Sequence, residues 1–342
     1  MALSDVVGHA RPVKILMQAL ASGRVAHAYM FAGPDGVGKA TLAFNFAKAL
    51  QCQGRGVDAC DSCGACAKVS RGNHPDVLLV EPQGLQIRID QIRDLQRRIV
   101  YRPLVGSRRC VIMDRAHDMN LQAANALLKV LEEPPEGNVM ILITRSTSVL
   151  PPTIVSRCQV IQFSPLSPEE VARCLQDRHG WGREEALRVG SRSNGSVKTA
   201  MELRGLPLVA QEEEILDFLS GLETLSIAAV LDASRDWATG REAVRSRLES
   251  LLGIFRDLVC LHLGRAEVHR RELKDRMGSV ASRWGLGELL DGWRAAAEAL
   301  NGIERNWNHR LVMDGLLLTM HNARRKRTGD HEDPPEQRPS VL

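Results

Sequence analysis

Long hydrophobic runs are missing from this sequence. No stretch approaches the ~18 apolar residues of a membrane span, and the N-terminus, MALSDVVGHARPVK, has no apolar signal core. Both absences lead to the expectation of a cytoplasmic protein with no membrane partner. Aromatic residues are scarce at 4%, and no internal repeat occurs. Charge of neither sign dominates: a net +4 on 342 residues permits contact with nucleic acid without demonstrating it. What is present suits an ordinary folded chain, with 44% hydrophobic and 25% charged residues and a length that holds two or three domains.

The informative presence is GPDGVGKAT, Gly33 to Thr41, set between the apolar run Ala28–Ala32 and an amphipathic stretch, Leu42 to Leu50. A strand, a glycine-rich loop and a helix in that order form a phosphate-cradling loop. Gly33, Gly36 and Gly38 let backbone N–H groups turn inward around an anion, and Lys39 and the helix N-terminus add positive charge. A hydroxyl is lacking where Mg²⁺ would need one: the residue after the lysine is Ala40. Thr41 comes one position late, which turns its side chain by roughly 100°.

A second absence follows. Cys110–Met113 is an apolar strand leading to Asp114, the acid expected to support Mg²⁺, but the next residue is Arg115 rather than the Glu that orients an attacking water. Losing such a base typically lowers a rate by ~10²–10⁴, and a cation there repels the metal. Two independent departures, both against metal-assisted hydrolysis, predict an ATPase fold that no longer hydrolyses. A working ATPase with unusual residues is the competing reading.

Four of the eight cysteines crowd together as Cys52, Cys60, Cys63 and Cys66 in a loop rich in Gly and Asp. This spacing fits a closed, tetrahedral, structural Zn²⁺ site. A disulfide framework does not suit a reducing compartment, and an iron–sulfur cluster lacks its nearby fourth Cys-Pro. Cys110, Cys158, Cys174 and Cys260 are scattered and read as small buried residues.

Along the chain, strands alternate with helices as far as Ser164-Pro165. A helix near Arg11–Ser22 precedes the phosphate loop; Val77–Val80, Val139–Ile143 and Gln159–Phe163 read as further strands. A helix starting at Ile87–Asp90 runs to about Ile99, with Arg93, Arg97 and Arg98 on a solvated face. Asn120 caps a helix from Leu121 to Glu132, whose Leu121, Ala124, Leu127, Leu128 and Leu131 share one side. The pattern predicts an α/β domain, a parallel sheet with helices on both faces, over residues 1–165 with the zinc module at 52–66. A small helical lid follows at 166–205, opened by Ser167-Pro168-Glu169-Glu170. An all-helical domain follows at 206–327. The tail 328–342, polar and with three prolines, is expected to be disordered. The basic cluster Arg324–Arg327 is expected to complement a helix C-terminus.

Arg157, in PTIVSRC, is either a surface charge or an arginine finger given in trans to a neighbour's nucleotide. Spacing does not choose between them.

Taken together, several stretches resemble the bacterial replicative clamp-loader subunits of the AAA+ class, most closely the delta-prime group of DNA polymerase III. They are DVVGH (Asp5–His9), HAYMFAGPDGVGK (His27–Lys39), the four-cysteine insertion and HPD (His74–Asp76). ANALLKVLEEPPE (Ala124–Glu136) and SRC (Ser156–Cys158) follow, with weaker matches at GSVKTAM (Gly195–Met201) and Asn306-Trp307-Asn308. The resemblance implies that Arg157 completes the ATP site of an adjacent motor subunit, that Thr144 stands at the sensor-1 position and Lys198 at the sensor-2 position, and that the four cysteines hold zinc. It implies a collar role for the last domain. It also implies gamma/tau motor subunits and a delta subunit as partners, with the sliding clamp and primed DNA reached through the complex. On this reading the chain belongs to a polymerase holoenzyme without itself being an ATPase or a polymerase. Ala40 and Arg115 depart from the gamma/tau motor pattern, and ATP–Mg²⁺ binding by this chain is left in question because Lys39 and the glycines still suit a nucleotide or an anion. A motor subunit of the gamma/tau type is the alternative. A zinc-dependent nucleic-acid module is a third reading, opposed by the acidic Asp58 and Asp61.

Overall fold

The computed structural model describes residues 1–329, apart from 55, 206, 266 and 267. The chain divides into two compact units, Met1–Glu202 and the part from Leu203 onward.

In the first unit five strands form one parallel sheet: β1 (Ala28–Ala32), β2 (Val77–Val80), β3 (Arg109–Met113), β4 (Asn138–Thr144) and β5 (Gln159–Gln162). Their order is β2-β3-β4-β1-β5. The helices are α1 (Ala10–Ser22), α2 (Lys39–Gln51), α3 (Gly64–Ser70), α4 (Ile89–Ile99), α5 (Leu121–Glu132) and the short α6 (Pro152–Val155). β1, β3 and β4 are buried along their whole length, whereas the edge strands β2 and β5 expose Leu79, Gln159 and Gln162. Along β3, Val111 and Met113 pack with Ile92, Leu95 and Leu127 of α4 and α5. Cys110 and Ile112, pointing the other way, pack with Leu16, Leu42 and Phe46 of α1 and α2. Helices cover both faces, and this is the α/β domain with a parallel sheet that the alternating pattern predicts. Met30 lies opposite Leu142 of β4 and Val160 of β5, so β1 is an interior strand and its carboxyl end delivers the glycine loop to the carboxyl edge of the sheet.

The expected lid helices, α7 (Pro168–His179), α8 (Arg183–Arg192) and α9 (Val197–Glu202), fall inside this same compact unit. The opening of α7 is a capping box: Ser167 Oγ accepts from Glu170 N at 3.2 Å, and Glu170 Oε2 accepts from Ser167 N at 2.8 Å.

The described residues of the second unit form only helices as regular elements: α10 (Leu208–Gly221), α11 (Ile227–Trp237), α12 (Arg241–His262), α13 (Lys274–Ala281), α14 (Leu286–Glu304) and α15 (His309–Gly329), with a short 3-10 turn at Arg271–Leu273. Leu251, Phe255, Trp284, Leu289 and Met313 centre its core. Arg270, 2% exposed, pairs with Glu212 at 2.7 Å and Asp257 at 3.3 Å. Its guanidinium fills the space beside Gly253, where a Cβ would lie 2.3 Å from a guanidinium nitrogen.

Some expectations need correction. Leu121 is exposed, because it stands in the first turn of α5, before the buried stripe begins. Cys110 and Cys174 are buried, whereas Cys158 and Cys260 are only half-buried. Arg324 is buried: it donates to Arg283 O at 3.0 Å, just past the end of α13, pairs with Glu223 at 2.6 Å and Glu288 at 3.1 Å, and lies 4.7 Å over Trp284, partners beyond the helix-end role expected. The expected disordered tail lies outside the described residues from 330 onward, and 328–329 belong to α15.

Candidate functional site

The loop from Gly33 to Gly38 turns on residues that need freedom from a side chain. Gly36 and Gly38 have φ of 75° and 105°, a region that L side chains rarely enter. At Gly36 a Cβ would stand 2.2 Å from Ser196 Oγ and 2.7 Å from Lys198 Cβ; at Gly33 it would stand 2.3 Å from the Phe163 carbonyl. The backbone of Val197 donates to Gly36 O at 3.0 Å. The start of α9 therefore rests directly on the phosphate loop.

Lys39 opens α2 and is 5% exposed. Its ammonium donates to Gly33 O and Pro34 O, each at 2.5 Å, and lies 3.7 Å from Asp35. Burial lowers its pKa, with Asp35 and Asp114 opposing the shift. Thr144 ends β4, fully buried, and its carbonyl accepts from Gly33 N at 3.2 Å. Its hydroxyl donates to Ser146 O at 3.0 Å. Asp114 follows β3, with its backbone N donating to Val80 O at 2.9 Å. Gly33, Gly36, Gly38, Lys39, Asp114 and Thr144 thus meet at the carboxyl edge of the sheet. Thr41 is half-buried on α2. Lys198 comes to the loop through its backbone and Cβ, while its side chain is 71% exposed and its ammonium lies 3.8 Å from Glu202.

Arg115 directly follows Asp114. Its φ is 50° and its guanidinium pairs with Asp118 at 2.5 Å. The acid and the loop are further enclosed by charges that local spacing did not single out. Arg145 donates from Nε to His117 Nε2 at 2.8 Å and lies 3.5 Å from Asp35. Accepting this bond requires His117 to be neutral, and burial lowers its pKa accordingly, with Arg145 acting the same way and Asp118 against it. The arrangement is a glycine loop ringed by internal ion pairs, with the Arg115 cation next to Asp114 in sequence.

Arg157 lies elsewhere. It precedes β5, whose Gln159 is level with Tyr29 of β1, whereas the glycine loop begins beyond Ala32. Four residues of strand separate the two levels by roughly 13 Å at ~3.3 Å per residue. Arg157 is at the amino edge of the sheet and its own phosphate loop is at the carboxyl edge. Its Nη1 donates to Thr153 O at 2.9 Å and to Ser156 Oγ at 3.4 Å, and Nη2 lies 2.8 Å from Glu132 Oε1. Glu132, the last residue of α5, was not singled out by the sequence; the only hint was its place in the LEEPPE stretch, 25 positions away.

The four cysteines converge: one sulfur from each of Cys52, Cys60, Cys63 and Cys66 lies within 4.8 Å of the others. Backbone N–H groups already point at them. Gly54 N and Cys60 N each lie 3.3 Å from Cys52 Sγ, and Cys66 N lies 3.4 Å from Cys63 Sγ. Hydrogen bonds from Ser62, first its hydroxyl and then its backbone, bring the Cys60 thiol down to about 6. The Cys63 thiol is lowered chiefly by the Cys66 amide. Burial pushes Cys66 up to about 12. Four converging sulfurs with backbone amides pointing at them suit a metal such as zinc, whose binding would displace thiol protons.

A family model described as DNA polymerase III, delta subunit, matches residues 8–167. DNA polymerase III subunit delta-prime of Pseudomonas aeruginosa is 41% identical over 212 residues, 60% of this chain and 63% of that protein, so less than two thirds of that relative is spanned. DNA polymerase III subunit tau of Bacillus subtilis is 38% identical over 168 residues, 49% of this chain and 30% of that protein. DNA polymerase III subunit delta-prime of Bacillus subtilis is 31% identical over 318 residues, 92% of this chain and 96% of that protein. With that identity sustained along nearly the full length of both chains, this protein belongs to the family of DNA polymerase III delta-prime subunits.

Proposed function

We propose that this chain is the stationary AAA+ subunit of a DNA polymerase III clamp loader. It does not hydrolyse ATP, and gives Arg157 to the ATP site of a neighbouring gamma/tau motor subunit. In that role it stands in a ring with gamma/tau and delta subunits and helps place a sliding clamp on primed DNA. The observation that carries this reading is the separation of Arg157 from its own phosphate loop by the depth of the sheet. An arginine so placed has no route to its own nucleotide loop, but it is open to a neighbour, with its side chain 35% exposed. A guanidinium is permanently charged and planar, which suits it to the charge that develops on a transferring phosphoryl group.

The site at the other edge supports the same reading. Ala40 offers no hydroxyl to Mg²⁺, and Arg115 places a cation where a base would orient water. The four cysteines hold structural zinc on this reading. The test is ATP turnover of the assembled complex: Arg157→Ala should slow the affected site by a factor on the order of 10³. Unchanged turnover would reject the finger role.

A motor-type reading draws on the intact glycines and Lys39 and on the identity to a tau subunit. It is distinguished by the purified chain alone. Magnesium-dependent ATP turnover that Lys39→Ala abolishes would favour the motor.

A further inference from the structure

The acidic character of the cysteine loop is not absorbed by any role discussed so far. We infer that the cysteine module is a clasp for the chain's own N-terminal segment, and that the metal serves to fix Asp58 and Asp61 where they fasten it.

Both carboxylates sit among the ligands in sequence, Asp58 between Cys52 and Cys60 and Asp61 between Cys60 and Cys63. Neither faces outward as a free acid. Asp58 Oδ1 accepts from Leu3 N at 2.9 Å and from Ala59 N at 2.7 Å, and its Oδ2 accepts from Ser4 N at 3.0 Å. Asp61 pairs with Lys48 of α2 and lies 2.6 Å from the Met1 amine. From the same helix, Asn45 Nδ2 donates to Ala2 O at 3.3 Å. Between these fastenings Leu3 is fully buried, packed in the cluster that holds Leu16, Leu42 and Phe46.

The fastened segment then leads to the phosphate loop. His9 Nε2 lies 2.7 Å from Val37 O, and its ring centre lies 4.8 Å from that of Phe163, the two planes tilted by 59°. At Gly8, whose φ is 71°, a Cβ would stand 2.4 Å from Leu166 Cδ2 just before α7. Nine residues therefore run from the cysteine module to the glycine loop and the base of α7. Among the described residues, the chain between α2 and α3 forms no regular element. Uncrosslinked, such a glycine-rich loop would leave its carboxylates free to wander, and bringing them back to two particular amides would oppose the loop's entropy. Four metal bonds remove that freedom. The acid of the module is thereby directed at the chain's own amides and Lys48 rather than at a nucleic acid.

The experiment is hydrogen–deuterium exchange on the full chain, zinc-loaded and zinc-stripped by chelator, with and without Asp58→Ala. In the zinc-loaded protein Asp58→Ala should raise exchange at residues 2–9 by roughly tenfold or more. Its zinc content and the exchange of α12 and α14 should not change. Stripping zinc should release the same segment, and adding Asp58→Ala to stripped protein should change nothing more. Continued protection of residues 2–9 after stripping would overturn the proposal. So would an Asp58→Ala protein, zinc bound, whose N-terminal segment exchanges as in wild type. Should stripping open β1 and β4 as well, the zinc-loaded Asp58→Ala comparison decides alone.

Discussion

Replacing Glu132 with alanine separates the two ways in which Arg157 could matter. The pair is close, 2.8 Å, but its side chains are 35% and 49% exposed. Exposed pairs of this kind contribute about 0–1 kcal/mol, because water screens them and two long side chains must be ordered. The guanidinium also keeps Thr153 O and Ser156 Oγ as acceptors when the carboxylate is gone. Glu132→Ala should therefore alter turnover of the assembled clamp loader by no more than about fivefold, the kinetic equivalent of ~1 kcal/mol. Raising the salt should shrink even that effect. Arg157→Ala, in contrast, is expected to slow the affected site about 10³-fold under the finger reading. The assay is steady-state ATP hydrolysis by complexes assembled with each variant, alongside thermal unfolding of each free chain. If Glu132→Ala were as damaging as Arg157→Ala, the pair would be acting as one structural unit and the reasoning would fail. Equal thermal stability with a thousandfold kinetic gap between the variants is the result expected.

Two further perturbations follow from the geometry. Gly36→Ala should destabilise the first unit by about 1–3 kcal/mol, since alanine is strained at a φ of 75° and its Cβ would collide with Ser196 and Lys198; a melting temperature equal to wild type would refute the close seating of α9 on the loop. Asp76 is fully buried and accepts from the amides of Leu104 and Val105 at 2.7 Å and Gly106 at 3.0 Å, with Arg109 3.5 Å away. Burial alone would raise its pKa, but those amides and Arg109 outweigh it and hold the carboxyl below its ordinary value. The sign is that of a depressed acid: its stabilisation is complete above the ordinary ~3.9 and is lost as the pH falls from there through the lower folded value. Asp76→Asn should therefore flatten the acid limb of the unfolding profile below about pH 4, and an unchanged acid limb would refute it.

Helices and strands were legible because their signals are local. The apolar runs at β1, β3 and β4, the capping residues Asn120 and Ser167, and the Gly33–Lys39 spacing each act within a few residues of themselves. Leu121 misled because helical period alone does not tell whether the first turn has anything to pack against. The partners of Arg324 were not legible either, because Glu223, Glu288 and Trp284 are brought to it from up to 101 positions away.

The sequence by itself determined which chemical groups are available: a phosphate loop without a hydroxyl after its lysine, a strand acid followed by Arg115, and four thiols at metal spacing. These are statements about covalent order, and order is enough to decide them. Only the tertiary structure decided where those groups act. It set Arg157 a sheet's depth from its own glycine loop, gave it Glu132 as a counter-ion, and turned Asp58 toward the amides of Leu3 and Ser4. The reason is that these partners are joined through sheet register and core packing, which bring together residues 25 to 55 positions apart along the chain.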